Sequence, residues 1–222
     1  MKAALRAIEN VKDAFTVGLG SGSTVAYAIA ELGKKIEREQ LHVLAVPTSY
    51  QASMLAAKHG IQITSLDEHT KLDLTIDGAD QIDRKLNLIK GMGGALTREK
   101  VVASASEKLI IIADETKKVA ALGEKNHPVP LEILPFAITP VLGKVGEIGG
   151  KTVLREGKGK VGPVISDNGN IIADAYFGPI YEPAELETKL RNIPGILENG
   201  LFVEMARVIY LGTRSGVEKI EK

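Results

Sequence analysis

The hydrophobic and polar positions in the first half of the chain alternate between short apolar runs and stretches with helical spacing. Runs of strand length are FTVGL (15–19), LHVLAV (41–46), IQITSL (61–66), LDLTI (72–76) and LIIIAD (109–114). Between them, segments such as VAYAIAELGKKI (25–36) repeat apolar residues every three or four positions, as amphipathic helices do. This alternation predicts an α/β fold with a mainly parallel sheet and helices on both faces.

From about residue 127 the elements become shorter, and prolines and glycines separate them. Strand-like runs, among them KTVLRE (151–156) and VGPVIS (161–166), alternate with two helical stretches in an order that resembles the β-α-β-β-α-β pattern of a ferredoxin-like unit. The run ARVIYLGT (206–213) is apolar enough to return to the first sheet. We therefore predict a small α+β domain at 127–200, inserted before the final strand of a larger domain formed by 1–126 and 201–222.

Composition narrows the classes of function. The chain has 222 residues with 28 basic and 28 acidic side chains, and this balance gives no basic footprint, so we do not expect nucleic acid as its main partner. No apolar stretch approaches the ~20 residues of a membrane span, and the amphipathic N-terminus contains acids unlike a signal peptide. Cysteine is absent and only four histidines occur, which excludes thiol chemistry and argues against a metal centre. We expect a cytoplasmic protein without cofactor, metal or membrane partner.

The segment GLGSGST (18–24) lies between a predicted strand and a predicted helix. Its glycines allow close approach of the backbone to a ligand, and Ser21, Ser23 and Thr24 add hydroxyl groups around Gly22, which together suit an anion such as phosphate. The segment lacks the lysine of a P-loop, and no acid ends the next strand as dinucleotide binding requires. The alternative is an ordinary turn with a Ser/Thr helix cap.

The second motif follows the strand LDLTI. DGAD (77–80) places Asp77 and Asp80 around Gly78 and Ala79 at the end of a buried strand, where their repulsion can prepare one carboxylate for proton transfer. An Asx turn is the structural alternative.

In KGMGGALTRE (90–99), Lys90 precedes a glycine-rich turn, and Glu99 lies one turn into a helix. Lys90 could neutralise an oxyanion and Glu99 could act as a general base, or Lys90 could be a surface charge and Glu99 a capping acid. Lys117, after the strand LIIIAD, could hold a phosphate or lie on a solvated face. These groups suit proton abstraction next to a carbonyl, as in the isomerisation of a sugar phosphate by a glutamate base.

The chain closely resembles type A ribose-5-phosphate isomerases over essentially its whole length. The segments that carry the resemblance are VGLGSGST, TIDGADQID, IKGMGGALTREKVVA, IIADETK, VISDNGN and IPGILENGLF. The resemblance implies a Rossmann-like domain with a ferredoxin-like lid, and a homodimer or homotetramer. It also implies the interconversion of D-ribose 5-phosphate and D-ribulose 5-phosphate in the non-oxidative pentose phosphate pathway.

The resemblance also implies residue roles. Glu99 would be the base and Lys90 would stabilise the enediolate. Asp77 would assist ring opening and hydroxyl proton transfer, with the catalytic carboxylate Asp80 close by. The residues expected to contact substrate are Ser21, Gly22, Ser23, Thr24, Asp77, Gly78, Ala79, Asp80, Lys90, Gly91, Met92, Gly93 and Lys117.

This sequence departs from the family pattern at several positions. Met92 replaces a glycine, so its side chain must point away from the sugar or narrow the pocket, and Gln81 stands where the family often has Glu. An N-terminal lysine of the family would fall at or before Met1, and whether Lys2 replaces it stays open from the sequence. Two other functions stay open from the sequence: an amino-sugar-phosphate isomerase-deaminase, and a sensor domain that binds sugar phosphate without turnover.

Overall fold

The computed structural model describes residues 1–222, and the chain divides into two compact units. The first unit comprises Met1–Ala79, Arg98–Lys117 and Met205–Lys222, and the second comprises Asp80–Thr97 and Lys118–Glu204. The chain therefore passes between the units four times. The domains expected from the sequence stay a prediction, and they differ from these units by placing residues 80–97, 118–126 and 201–204 with the first domain.

The chain forms fourteen strands and six α-helices. In chain order the strands are β1 (Thr16–Leu19), β2 (Leu44–Pro47), β3 (Gln62–Ile63), β4 (Leu74–Asp77), β5 (Gln81–Ile82), β6 (Leu88–Ile89), β7 (Leu109–Asp114), β8 (Val129–Ile133), β9 (Lys151–Leu154), β10 (Ile171–Tyr176), β11 (Ile196–Asn199), β12 (Leu201–Phe202), β13 (Ala206–Gly212) and β14 (Val217–Glu221). The helices are α1 (Lys2–Ile8), α2 (Ser23–Glu39), α3 (Tyr50–Lys58), α4 (Leu96–Ser104), α5 (Ile138–Glu147) and α6 (Pro183–Arg191).

The first unit is built on a seven-stranded sheet in the order β14-β13-β7-β4-β1-β2-β3. Every neighbouring pair is parallel except β13 with β14, which confirms the predicted mainly parallel sheet. Residues of α1, α2 and α3 form one apolar core with the sheet, and Val102 of α4 packs with Val46 and Leu72 in another. The strand order reverses between β1 and β4, and ligands of such sheets bind at the carboxyl ends of the strands at this point.

The predicted return of the chain to this sheet is confirmed, because ARVIYLGT forms β13 and pairs with β7. The prediction that this is the final strand is wrong. The chain turns at Ser215 and Gly216 and adds β14 antiparallel to β13. The sequence of β14, VEKIE, is mostly charged, and only Val217 and Ile220 are partly buried, so its hydrophobic pattern gave too little signal.

The second unit contains an antiparallel sheet in the order β11-β8-β10-β9. Helix α5 connects β8 to β9 and α6 connects β10 to β11, which confirms the ferredoxin-like order of elements. VGPVIS, expected to be a strand, makes only isolated bridges such as Ile165 with Ile171. A smaller sheet, β12-β6-β5, also belongs to this unit.

A buried carboxylate fixes the DNGN turn of the second unit. Glu132 of β8 is fully buried, and its oxygens accept hydrogen bonds from Ser166 Oγ (2.6 Å), Asn170 Nδ2 (2.8 Å) and Asn168 Nδ2 (3.0 Å). Because a buried carboxylate must be hydrogen-bonded, these donors explain why Glu132 is tolerated inside the sheet. The motif therefore serves the packing of the second unit.

Candidate active site

In the first unit, the loop after β1 is joined to the end of β4 by backbone hydrogen bonds. The amide of Gly20 donates to the carbonyl of Ile76 (2.9 Å), and the amides of Ser21 and Gly78 both donate to Asp77 Oδ1 (3.2 and 2.7 Å). Asp77 itself is fully buried. The structure thus brings the first and second sequence motifs together at the carboxyl ends of adjacent strands.

The hydroxyl of Ser21 lies in a cluster of polar side chains that follow β2. Its Oγ donates to Ser49 Oγ (2.6 Å) and lies 2.8 Å from Thr48 Oγ1, while the amide of Gly22 donates to Gln51 Oε1 (2.9 Å). The predicted site did not include Thr48, Ser49 or Gln51. The hydroxyl-rich sequence PTSYQ at the end of a strand was the available signal.

Helix α2 begins directly after this loop, with Ser23 and Thr24 in its first turn. Gly22 is its N-cap residue and no side chain caps the helix. The first amides of a helix have no partner within the helix, and the helix dipole favours negative charge at this end. The loop and the start of α2 therefore provide hydroxyl and amide donors suited to an anion.

Glu99 occupies the first turn of α4 and is only 4% exposed. Val102 lies three positions later on the same side of the helix and is buried with Val46 and Leu72. The packing of Val102 therefore turns the side of α4 that carries Glu99 inward. A carboxylate that is shielded from water in this way is suited to accept a proton from carbon.

Lys117 ends a short 3-10 turn, Glu115–Lys117, that follows β7. The turn is tied to the strand end because the amide of Thr116 donates to Asp114 Oδ1 (2.9 Å) and its hydroxyl donates to the same oxygen. The hydroxyl hydrogen bond is the largest cause that holds the pKa of Asp114 below its ordinary value, and the charge of Lys117 acts in the same direction. Lys117 is half-buried beside this acid.

In the second unit, Lys90 follows β6 and is 2% exposed. Its amide donates to the carbonyl of Gly200 (2.9 Å), and its Nζ lies 5.2 Å from the centroid of the Phe202 ring, within the range of a cation–π interaction. The amide of Asp80 donates to the carbonyl of Ile89 (2.8 Å), which places Asp80 beside the end of the same strand.

The glycine-rich turn after Lys90 is held in one conformation. Gly91 has φ +103°, which L side chains rarely adopt, and the amide of Gly94 donates to its carbonyl (2.9 Å). The amide of Met92 donates to Asp80 Oδ2 (3.0 Å). The sulfur of Met92 lies 3.8 Å from Arg155 Nη2, so this side chain is directed toward the guanidinium.

Gln81, the departure next to Asp80, is buried and has both ends of its amide satisfied. Its Nε2 donates to the carbonyl of Glu124 (2.9 Å), and its Oε1 accepts from the amide of Gly123 (2.7 Å). A glutamate at this position would have no proton to donate to the Glu124 carbonyl when ionised. The amide is therefore matched to its surroundings in this chain.

The predicted site residues thus fall into two groups. The first unit contains Ser21, Gly22, Ser23, Thr24, Asp77, Gly78, Ala79, Glu99 and Lys117, and the second contains Asp80, Lys90, Gly91, Met92 and Gly93. No group of three or more His, Asp or Glu side chains in the chain is arranged to hold a metal ion. No helix is long and apolar enough to cross a membrane.

Comparison with known proteins gives one consistent family. Residues 44–216 match the model of the family described as ribose 5-phosphate isomerase A (phosphoriboisomerase A). A ribose-5-phosphate isomerase A from Methanothermobacter thermautotrophicus is 48% identical over 97% of this chain and 94% of its own length. One from Pyrococcus horikoshii is 45% identical over 99% and 96%.

Solved structures agree with this. The ribose 5-phosphate isomerase A of Methanocaldococcus jannaschii superposes with a TM-score of 0.95 at 44% identity, covering 100% of this chain and 97% of that one. A D-ribose-5-phosphate isomerase in complex with phospho-erythronic acid superposes with a TM-score of 0.96 at 45% identity, covering 99% and 96%.

Proposed function

Because the chain belongs to the ribose 5-phosphate isomerase A family, we propose that it interconverts D-ribose 5-phosphate and D-ribulose 5-phosphate in the non-oxidative pentose phosphate pathway. In this reaction a proton moves between C1 and C2 of the open-chain sugar through an enediolate. The observation that carries the proposal is the buried carboxylate of Glu99 in the first turn of α4, within a chain that matches the family over nearly its whole length.

Several groups of the first unit take roles in this proposal. Glu99 is the base that carries the proton between C1 and C2. Asp77, buried at the end of β4, assists ring opening and proton transfer between the hydroxyl groups. The substrate is contacted by the loop after β1 and by the residues that follow β4. The contacting residues are Ser21, Gly22, Ser23, Thr24, Gly78 and Ala79. The amides at the start of α2 and the charge of Lys117 suit the negative charge of its phosphate.

The second unit contributes the cation. Lys90 stabilises the negative oxygen of the enediolate, and its burial supports this role because electrostatic attraction is stronger away from water. Asp80 lies at the end of β6, the strand that Lys90 follows, because its amide donates to the carbonyl of Ile89. Its carboxylate accepts a hydrogen bond from the amide of Met92. Gly91, Met92 and Gly93 line the substrate.

The test is turnover by the purified protein. Ribose 5-phosphate should be converted to ribulose 5-phosphate in the presence of a chelator, and Glu99→Gln should lower kcat by about 10²- to 10⁴-fold, the range of general-base catalysis. Glu107→Gln is the matched control, since Glu107 is an exposed glutamate just beyond the same helix. It should keep the activity of the unchanged protein.

Other outcomes identify the competing functions. Binding of ribose 5-phosphate without turnover would indicate a sensor domain, and release of ammonia from glucosamine 6-phosphate would indicate an isomerase-deaminase. An active Glu99→Gln variant would show that Glu99 is not the base, while the proposed isomerase activity would stand. The related proteins are named as isomerases, which favours the first function over both alternatives.

A phosphorylated sugar acid provides a second test of the same site. A related isomerase binds phospho-erythronic acid. The carboxylate of such a compound carries negative charge near the position where the enediolate develops it, so we expect competitive inhibition of this chain. Lys90→Met should weaken this inhibition more than it weakens the binding of inorganic phosphate, which lacks the carboxylate.

We also propose that the protein is a cytoplasmic homodimer or homotetramer. Support comes from large apolar side chains of the second unit that face solvent, notably Phe136 at 95% and Tyr181 at 77% exposure. Light scattering coupled to size-exclusion chromatography measures the mass directly. A monomer at micromolar concentration would contradict this part of the proposal.

A further inference from the structure

We infer that Arg155 and Asp174 form a positioning pair that holds the turn Gly91–Gly93 in its working conformation. The inference rests on the proposed function, since it concerns how the turn after Lys90 meets the substrate. Neither residue lies in a motif singled out from the sequence. Both lie within the second unit, as does the turn.

Asp174 holds the guanidinium of Arg155 through two hydrogen bonds. Its Nε donates to Asp174 Oδ2 (2.9 Å) and its Nη2 donates to Asp174 Oδ1. Both side chains are only 12% exposed. A two-point contact between a planar guanidinium and a carboxylate fixes the plane of the arginine as well as its position.

The remaining nitrogen of the guanidinium binds the glycine-rich turn. Arg155 Nη1 donates to the carbonyls of Gly91 and Met92, each at 2.9 Å. Two successive peptide carbonyls are thus directed at one nitrogen. These bonds fix the orientation of both peptide planes.

The orientation of these peptides also sets the direction of their N–H groups. In a trans peptide the N–H points opposite to the carbonyl, and the chain has no cis peptides. The N–H of Met92 is accordingly directed at Asp80, to which it donates. The N–H of Gly93 points away from Arg155 at an exposed residue, where it is available as a donor to the substrate. The pair therefore orients a backbone donor in the turn that follows Lys90 in the chain.

The face of the ferredoxin-like sheet that carries Asp174 supports the same turn. A Cβ built on Gly91 would lie 3.2 Å from Pro130 Cβ, and one on Gly94 would lie 3.7 Å from Ile172 Cγ1. The turn thus packs directly on β8 and β10. The sheet acts as a platform for the turn, and Arg155 is the polar contact that sets its peptide orientation.

The experiment compares Arg155→Lys with the unchanged protein. Lysine keeps the positive charge but cannot bind the carboxylate at two points and the two carbonyls at the same time. We expect kcat for ribose 5-phosphate to fall about 10- to 100-fold with KM nearly unchanged, as misplacement of a transition-state donor requires. Amide hydrogen exchange of Met92, whose N–H donates to Asp80, should become faster when it is measured without substrate.

Arg191→Ala is the matched control, because Arg191 is a 63% exposed arginine of α6 in the same unit. It should change neither kcat nor the exchange of the turn. Should Arg155→Lys fail to fold, Asp174→Asn leaves the guanidinium in place but loosens it, and should lower kcat in the same direction.

The outcomes separate this inference from the proposed function. A folded Arg155→Lys variant with unchanged kcat overturns the inference, even if its melting temperature falls, because a merely structural ion pair would behave in that way. Unchanged exchange at Met92 overturns it as well. Absence of isomerase activity in the unchanged protein would instead overturn the proposed function, and the exchange data would then still decide whether Arg155 holds the turn.

Discussion

The amide of Ser21 donates a hydrogen bond of 3.2 Å to the carboxylate of Asp77, and this contact joins the loop after β1 to the last residue of β4. The same carboxylate oxygen accepts from the amide of Gly78 at 2.7 Å. Asp77 thus holds the two loops that leave the sheet where its strand order reverses. The carboxylate serves the local structure as well as its proposed role in proton transfer.

Asp77→Asn separates these two roles. The amide oxygen of asparagine can accept the same hydrogen bonds, but the side chain carries no charge and is a poor proton acceptor. We expect the fold to persist and kcat to fall about 10²-fold or more, within the range of acid–base catalysis. Steady-state kinetics and circular dichroism measure the two effects.

Asp73→Asn is the control for this substitution. Asp73 also accepts a backbone amide, that of Thr16 at 2.7 Å, but at the beginning of β1 rather than at its end. Asp73→Asn should keep kcat and should lose about as much stability as Asp77→Asn does. If Asp77→Asn has the same kcat as Asp73→Asn, Asp77 has only a structural role.

Gly20→Ala should disrupt the loop after β1. A Cβ at position 20 would lie 2.0 Å from Asp77 Oδ1 and 2.7 Å from Asp77 Cα, so the carboxylate and the loop must move apart. We expect a loss of about 1–3 kcal/mol in the free energy of unfolding, typical of overpacking, with a large loss of kcat. Urea unfolding measures the first quantity.

For Gly143→Ala we expect the opposite change in the free energy of unfolding. Gly143 lies within α5, and nothing is found within 4 Å of a Cβ built on it. Alanine should stabilise the protein by about 0.5–1 kcal/mol without affecting kcat, because it suits a helix better than glycine does. Equal unfolding free energies for the two alanine variants would contradict the steric interpretation of Gly20.

Lys90→Met removes the buried charge while keeping an unbranched apolar chain of similar length. We expect kcat to fall about 10²- to 10³-fold, the usual effect of losing one group that stabilises an oxyanion. Lys85→Met, on an exposed lysine of the preceding turn, is the matched control and should leave kcat unchanged. Near-normal turnover by Lys90→Met would show that groups other than Lys90 stabilise the negative oxygen.

Thr116→Val should raise the pKa of Asp114, because the Thr116 hydroxyl bond is the largest cause that lowers it. A carboxyl group whose pKa is lowered by folding stabilises the native state above its unfolded pKa of about 4, and this contribution disappears as pH falls through the native pKa. The variant should therefore lose less stability on acidification than the unchanged protein.

A carboxyl-carbon NMR titration of both proteins measures this shift. Asp13, whose pKa is lowered mainly by the amide of His42, serves as the internal reference and should titrate identically in the two. An Asp114 titration that does not move in Thr116→Val would show that the hydroxyl bond is not formed in solution.

The sequence was sufficient for the elements whose apolar pattern is strong. LIIIAD became β7 with the predicted bounds, and five of its six residues are buried. The proximity of the loops at the ends of β1 and β4 was predictable because parallel strands bring their carboxyl ends to one edge. In contrast, β14 is mostly charged and joins the sheet through backbone pairing, which leaves little trace in hydrophobicity.

Other parts of the candidate site depend on contacts between distant residues. Ser21 meets Thr48 across 27 positions, and Arg155 meets Gly91 across 64. A single arginine before a glycine-rich segment has no local pattern that distinguishes it from a surface charge. Such partners become visible only when the pairing of strands fixes which residues are neighbours.

Strand β14 also bears on how copies of this chain can associate. It covers one edge of the seven-stranded sheet with exposed Glu218, Lys219 and Glu221, and the other edge is β3, which has only two residues. Charged or very short outer strands discourage the addition of strands from another molecule. We therefore expect this seven-stranded sheet to stay closed to extension, so that copies of the chain do not associate by adding strands to either of its edges.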